Sequence, residues 1–155
     1  MAKVGVHGSA GGVSLNDIVA LLKQDPKIGD VGAIVTFSGI VKTSTMGKQA
    51  QTQLEVDLVP EEVQKVLEKI VEETEKKDII AAVSIHFNYG ILQAPGDILH
   101  IAMAGTQGPE RVPDFFNILY EVLNRVKRET NIRFKEHTPD GAEFYKPPDS
   151  SKSFD

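Results

Sequence analysis

A chain of 155 residues with 41% hydrophobic and 25% charged side chains is long enough for one domain with a buried core. It has no cysteine, which excludes disulfides, thiolate metal sites and cysteine nucleophiles. Its net charge of -5 disfavours non-specific binding to nucleic acid or anionic membranes, and no run of eighteen apolar residues offers a membrane span. The first residues lack the apolar stretch of a secretory signal, and an absence of cysteine fits a reducing cytoplasm, the expected location.

Residues 3–7 read as a short strand, followed by a glycine-rich turn at 8–12. Ser14 is a plausible helix N-cap with Asp17 three residues on, ahead of Ile18, Leu21 and Leu22, and that helix stops before Pro26. Gly29 and Asp30 read as a loop. Residues 32–42 are rich in β-branched and aromatic side chains and predict a mostly buried strand, with Gly39 marking a bulge or a close backbone approach. Residues 43–50 form a polar loop. Leu54, Val56 and Leu58 alternate with Gln53, Glu55 and Asp57, the pattern of a half-buried strand.

Pro60 opens the clearest helix, with Val63, Val66, Leu67, Ile70 and Val71 on one stripe. Glu61–Lys65, Lys69–Glu73, Glu72–Lys76 and Glu73–Lys77 stand four apart and predict a solvated face. Strands follow at 79–87 and 98–104, joined by a connection over 90–97. After a loop at 105–111, the last helix turns Phe115 or Phe116, Leu119, Val122, Leu123 and Val126 inward. A strand at 132–137, a turn at 138–141 and a short closing strand at 143–145 complete a domain over 1–146, and 147–155 reads as a flexible tail or an arm ordered by a partner. Strands outnumber helices and several connections are short. This predicts a single α+β domain with a mixed, largely antiparallel sheet and helices packed on it.

Five basic residues, Arg125, Lys127, Arg128, Arg133 and Lys135, stand against the single acid Glu129 between 125 and 135. A cationic cluster on an acidic protein predicts a site for a small anion or an acidic peptide tail. Basic residues at a helix C-terminus are expected from the macrodipole alone, so Lys127 or Arg128 singly says little, whereas Lys135 lies in a strand where that argument does not apply. Arg111 sits at the start of the last helix, where a cation is unfavourable by roughly 0.3–1 kcal/mol, which suggests that it meets an anion. Lys42 ends a strand and suits a pocket rim as well as it suits solvent. Gly5, Gly8 and Gly11 give G-x-x-G-x-x-G without the lysine and hydroxyl of a phosphate-binding loop, so a turn is favoured over a phosphate cradle. His7, His86, His100 and His137 show no metal-ligand spacing; His86 and His100 read as core residues, and no metal or cofactor is expected.

The segment 25–42 is similar to the G-A-x-V-x-F-x-G-x-V-R segment of the large, catalytic subunit of molybdopterin synthase, the MoaE family. The acidic strand Leu54-Glu55-Val56-Asp57 with its Pro60 helix resembles the same family, as do His86, Gly90, Leu92, Gly96 and Asp97. So do 128–136 against its K-E-T-x-P-I-W-K-K-E segment, and Asp140-Gly141 before an aromatic strand. The likeness covers about residues 15–146 and implies a hammerhead-like α/β arrangement. It also implies sulfur transfer from the thiocarboxylated Gly-Gly tail of a small ubiquitin-like carrier to cyclic pyranopterin monophosphate, forming the molybdopterin dithiolene. The assembly it implies is a homodimer within a heterotetramer, its site built partly from both protomers.

In those roles Lys135 and either Lys127 or Arg128 are the implied catalytic groups. Lys42 and Arg111 would clamp the phosphate, and Phe37 and Phe134 would border the tail or the pterin, with core packing an equal alternative for both. The chain departs from the family at Lys42, where arginine is usual, at Glu110, where histidine precedes Arg111, and at Arg128, where lysine is usual. Arginine stays charged where lysine titrates, so these departures bear on activity more than on fold. Two other readings fit the residues: a relative that binds carrier or pterin without turnover, and an α+β module that binds a small anionic metabolite.

Overall fold

The computed structural model describes residues 1–9, 11–42, 53–105, 108–137 and 144–145. Among these the chain order is β1 (Val4–Gly8), α1 (Leu15–Leu22), β2 (Ala33–Ile40), β3 (Gln53–Asp57), α2 (Pro60–Glu75), β4 (Ile80–Gln93), β5 (Asp97–Gly105), α3 (Val112–Glu129), β6 (Arg133–His137) and β7 (Phe144–Tyr145). Short 3-10 turns stand at Ile28–Asp30, read from sequence as a loop, and at Pro109–Arg111. The strands form one seven-stranded sheet in the order β2-β5-β4-β3-β6-β7, with β1 beside β4. The β1–β4 pairing is parallel and the others are antiparallel, the mixed α+β architecture expected from the sequence.

The central strands β4 and β5 are covered on both faces. Val83, Ile85, Ile101 and Met103 pack with Val63, Leu67 and Ile70 of α2 and with Phe115, Leu119 and Val122 of α3 in the main core. Their neighbours Ala82, Ala102 and Ala104 turn to the opposite face and meet Ile18 and Leu22 of α1. Small side chains let that helix lie close to the sheet. Ser14 caps it as expected, its Oγ accepting from the Asp17 backbone N–H at 3.1 Å. Eight residues do not hold a helix in water unaided, so docking on the alanines stabilises it.

Of the stripe on α2, Val63, Leu67, Ile70 and Val71 are buried as their spacing predicts and Val66 is half-buried, with Thr74 added through its hydroxyl, which donates to the Ile70 carbonyl at 2.7 Å. The charged face differs from expectation. Glu72–Lys76 pairs along the helix at 3.6 Å, but Glu73 reaches across to Arg125 at 2.6 Å and Lys77 to Glu121 at 3.9 Å. Helices α2 and α3 lie side by side, so part of this face is a seam between them and not a purely solvated surface.

Three strands differ in extent or setting. The segment carrying β2 is not mostly buried: among the described strands β2 pairs with β5 alone, at the sheet edge, and its residues alternate between half-buried and exposed toward its end. The bulge expected at Gly39 is present as a register shift between Gly39 and Ile40. Strand β4 runs for 14 residues, through positions that read as a connection, because Gly90 at φ +93° bends the chain and Gly90 to Gln93 go on to pair with β3. In α3 it is Phe115 that is buried, while Phe116 is 55% exposed. The loop at 43–50, the turn at 138–141 and the tail at 147–155 lie outside the described residues.

Candidate functional site: a cleft between α3 and the end of β2

A cleft of about 340 Å³ opens where the end of β2, the start of β5, the last turns of α3 and the start of β6 meet. Phe37 and Gly39 reach it from one face of β2 because they stand two residues apart. Ile98 and Leu99 form a second wall, and Ile132 and Phe134 a third. From α3 come Leu123, Val126 and Lys127, with Thr130 just beyond the helix, a helical spacing that puts all four on one side. The Thr130 hydroxyl donates to the Val126 carbonyl and so closes the helix end.

Lys42 and Lys127 are the charged residues among the described lining. Lys42 follows Val41, which is buried and held by its N–H donating to the Gly96 carbonyl at 2.8 Å. The backbone at the root of the Lys42 side chain is thereby fixed at the cleft rim. An apolar cleft with two ammonium groups suits an extended chain end or a small planar ligand that carries an anionic group. Such charges act most strongly where water is scarce.

The basic run at 125–135 is not one cluster. Arg125 is a structural bridge, its guanidinium 2.5 Å from Glu129 and 2.6 Å from Glu73 of α2. The hydrogen bond to Glu129 is the largest of the effects holding Arg125 charged well above its ordinary range, and Arg125 in turn lowers the Glu129 carboxyl. Arg133 pairs with Asp57 across the sheet at 2.5 Å. Arg128 is exposed and does not line the cleft, whereas Lys127 does. Lys135 follows Phe134 in β6 and therefore turns to the opposite face, across from Glu55 of β3. Arg111 stands at the far end of α3, roughly 24 Å from Lys127 along the helix axis. There its unfavourable place at a helix start is met by Asp114 at 3.2 Å and Asp78 at 3.5 Å. Within one chain the fold thus brings together Lys42, Lys127, Phe37 and Phe134, and sets Arg128, Lys135 and Arg111 elsewhere.

The sequence reading did not single out Leu123, Thr130, Ile98 or Ile132 as lining; their apolar spacing looks the same as core. It also missed a histidine pair. His7 Nε2 lies 2.9 Å from His86 Nδ1 with the rings stacked, because parallel β1 runs beside β4. His86 stands opposite His100, which contacts Ser38 Oγ at 2.7 Å through Nδ1 and lies 3.2 Å from Asp97 through Nε2. Burial first, then the charges of His7 and His100, bring His86 down to about 4 against the opposing effect of a hydrogen bond to the Ala2 backbone; burial also lowers His7. No three His, Asp or Glu residues among those described are arranged to hold a metal. A second, more polar cleft lies at the glycine-rich turn, where the Gly11 N–H donates to the Gly8 carbonyl at 2.9 Å. Among the described residues it is lined by Asp97 and no lysine or arginine, so the turn reading of G-x-x-G-x-x-G stands.

Comparison with known proteins places the fold and the family. A curated relative from Haloferax volcanii, described as a probable molybdopterin synthase, is 28% identical over 134 residues, covering 86% of this chain and 49% of the relative. The chain thus spans about half the length of that relative. A MoaE protein from Burkholderia ambifaria superposes with a TM-score of 0.73 at 25% identity, over 97% of this chain and 95% of its own. A molybdopterin synthase from Staphylococcus aureus shares the fold with a TM-score of 0.77 at 21% identity, over 94% and 98% of the two chains. The model of the MoaE protein family matches residues 10–129, and the chain belongs to that family.

Proposed function

We propose that this chain is the large subunit of a molybdopterin synthase, which moves sulfur from a thiocarboxylated small carrier to cyclic pyranopterin monophosphate and forms the molybdopterin dithiolene. The observation that carries the reading is the apolar cleft holding Lys42 and Lys127 in a chain of the MoaE family. Both reactants are anionic, one through its phosphate and the other through its terminal thiocarboxylate. Preorganised ammonium groups lower the cost of bringing them together; once the thiocarboxylate sulfur has bonded to a substrate carbon, they stabilise the oxyanion that forms when water attacks the thioester carbonyl, leaving sulfur on the pterin and a carboxylate on the carrier. This reading gives Lys127 that charge and Lys42 the phosphate, both lysines lining the cleft. Phe37 and Phe134 offer flat apolar walls to the tail or the pterin ring.

Lys135 and Arg111 enter this reading through a second protomer or the bound carrier. An exposed stripe of Val112, Phe116 and Tyr120 runs along α3 on every fourth residue, with Phe116 and Tyr120 both more than half exposed. Pairing of that stripe with a second copy would bury it, in keeping with a homodimer. A structure from Helicobacter pylori with the same fold is a complex of subunits 1 and 2 of molybdopterin-converting factor, in keeping with a small partner and a heterotetramer. Among the described residues no helix is long and apolar enough to cross a membrane, and the reaction is assigned to the cytoplasm.

The test is reconstitution. The protein mixed with a thiocarboxylated carrier and the cyclic substrate yields the dithiolene, read by its fluorescent oxidation product. No product under conditions where a reference synthase works overturns the reading. Carrier binding without product makes the chain a binding relative that lacks turnover.

A further inference from the structure

Several glycines in this fold have a structural reason to lack a side chain. A Cβ on Gly5 would stand 2.5 Å from His7 Nε2, one on Gly96 2.5 Å from the Gln93 carbonyl, and one on Gly105 2.6 Å from the Ile79 carbonyl. Gly90 has φ +93°. Gly39 stands at the β2 bulge, but neither a clash nor a left-handed φ demands glycine there. A Cβ there would lie 3.7 Å from Phe37 Cε1 and 4.0 Å from Leu99 Cβ, ordinary van der Waals contacts, and its φ is outside the left-handed region. Glycine inside a strand is less stable than alanine by roughly 0.5–1 kcal/mol, and nothing in the packing around Gly39 offsets that.

The space a side chain would take belongs to the cleft. Gly39 lines it, and the two atoms nearest the missing Cβ are on the cleft residues Phe37 and Leu99. We propose that Gly39 is the specificity-determining residue of this cleft, its bare backbone keeping open a slot that admits an anionic chain end without side chains and rejects one with them. The inference rests on the carrier reading above and deepens it. The ligand class follows from the walls: apolar surfaces of Phe37, Leu99 and Phe134 for an extended backbone, and Lys42 and Lys127 for its terminal carboxylate or thiocarboxylate. A side chain on the penultimate residue of the tail and a side chain at Gly39 would compete for one volume.

The experiment is calorimetric titration of the carrier into wild type, Gly39→Ala and Gly39→Val, with melting temperatures for all three. A carrier lacking its last two residues serves as control. We expect Gly39→Ala to melt at or above the wild-type temperature and Gly39→Val to weaken carrier binding by about tenfold or more, with a smaller loss for Gly39→Ala. The truncated carrier, which has nothing to place in the slot, binds all three alike. Equal affinity of the full carrier for wild type and folded Gly39→Val overturns the inference, as does an equal loss with the truncated carrier. A Gly39→Ala protein that melts well below wild type assigns the glycine to the fold and also overturns it. A wild-type chain with no affinity for the carrier removes the underlying reading instead, and the inference with it.

Discussion

Lys42, just past the end of β2, and Lys127, in the last turn of α3, line one cleft whose other walls are almost wholly apolar. Two like charges converging on an apolar surface is an arrangement that an anion stabilises. Each lysine is held by a neighbour with a packing role: Val41 beside the first, Val126 beside the second, both buried. The fold therefore fixes where the backbone of each lysine meets the cleft.

Removing either charge tests their part in sulfur transfer. Lys127→Ala is expected to lower turnover by about 100-fold or more, the scale of losing one preorganised group that stabilises an oxyanion. Lys42→Ala is expected chiefly to raise the KM for the cyclic phosphate. Neither side chain is part of the core, so circular dichroism and the melting temperature stay near wild type. Steady-state kinetics with each substrate varied in turn separates the two roles.

Lys127 and Arg128 are neighbours in sequence with different surroundings, which gives a second comparison. Arg128→Ala is expected to change turnover by less than about threefold, as for an exposed charge away from the site. Lys135→Ala abolishes transfer without unfolding the chain if a partner chain completes the site on the β6 face; retained activity dismisses Lys135 and leaves Lys127 as the principal cation.

Arg125 is expected to matter for stability and not for chemistry. Its side chain is 16% exposed and joins Glu73 of α2 to Glu129 of α3. Arg125→Ala leaves two carboxylates facing each other at the helix seam and is expected to lower the unfolding free energy by roughly 2 kcal/mol. Urea denaturation measures the loss, and it should diminish in Arg125→Ala combined with Glu73→Gln and Glu129→Gln.

Stability is expected to fall in mild acid through His86. Its ordinary value of 6.5 drops to about 4 in the folded state. The unfolded chain therefore binds the proton first as the pH falls. The stability is fully present above about 6.5 and is lost as the pH falls toward 4, by on the order of 3 kcal/mol. His7 stacks on the same imidazole, and burial lowers it too, so it adds to the slope in the same direction. Denaturation midpoints at pH 7.5 and pH 4.5 check this, and His86→Gln should flatten the difference between them.

Much of the fold was legible in the sequence because local physical chemistry sets it. The Ser14 cap, the 3.6-residue stripe of α2, the alternation in β3 and the bulge glycine of β2 each depend on residues close together in the chain. The extension of β4 was not legible, since a single glycine with positive φ turns an apparent connection into strand. The edge position of β2 was also hidden, because an apolar run looks the same in the middle of a sheet and at its border.

The candidate site divides along the same line. The sequence by itself determined the chemical inventory: lysines and aromatics in an acidic chain without cysteine, in the order that marks the MoaE family. Only the tertiary structure decided which of them meet. Five basic residues within eleven positions look like one patch in a linear reading. The alternation of β6 and the packing of α2 on α3 then assign Arg125 and Arg133 to carboxylates and turn Lys135 to the other face, while Lys127 comes beside Lys42. Side-chain direction depends on how elements pair and pack, and that is a property of long-range contacts which no local run of residues contains.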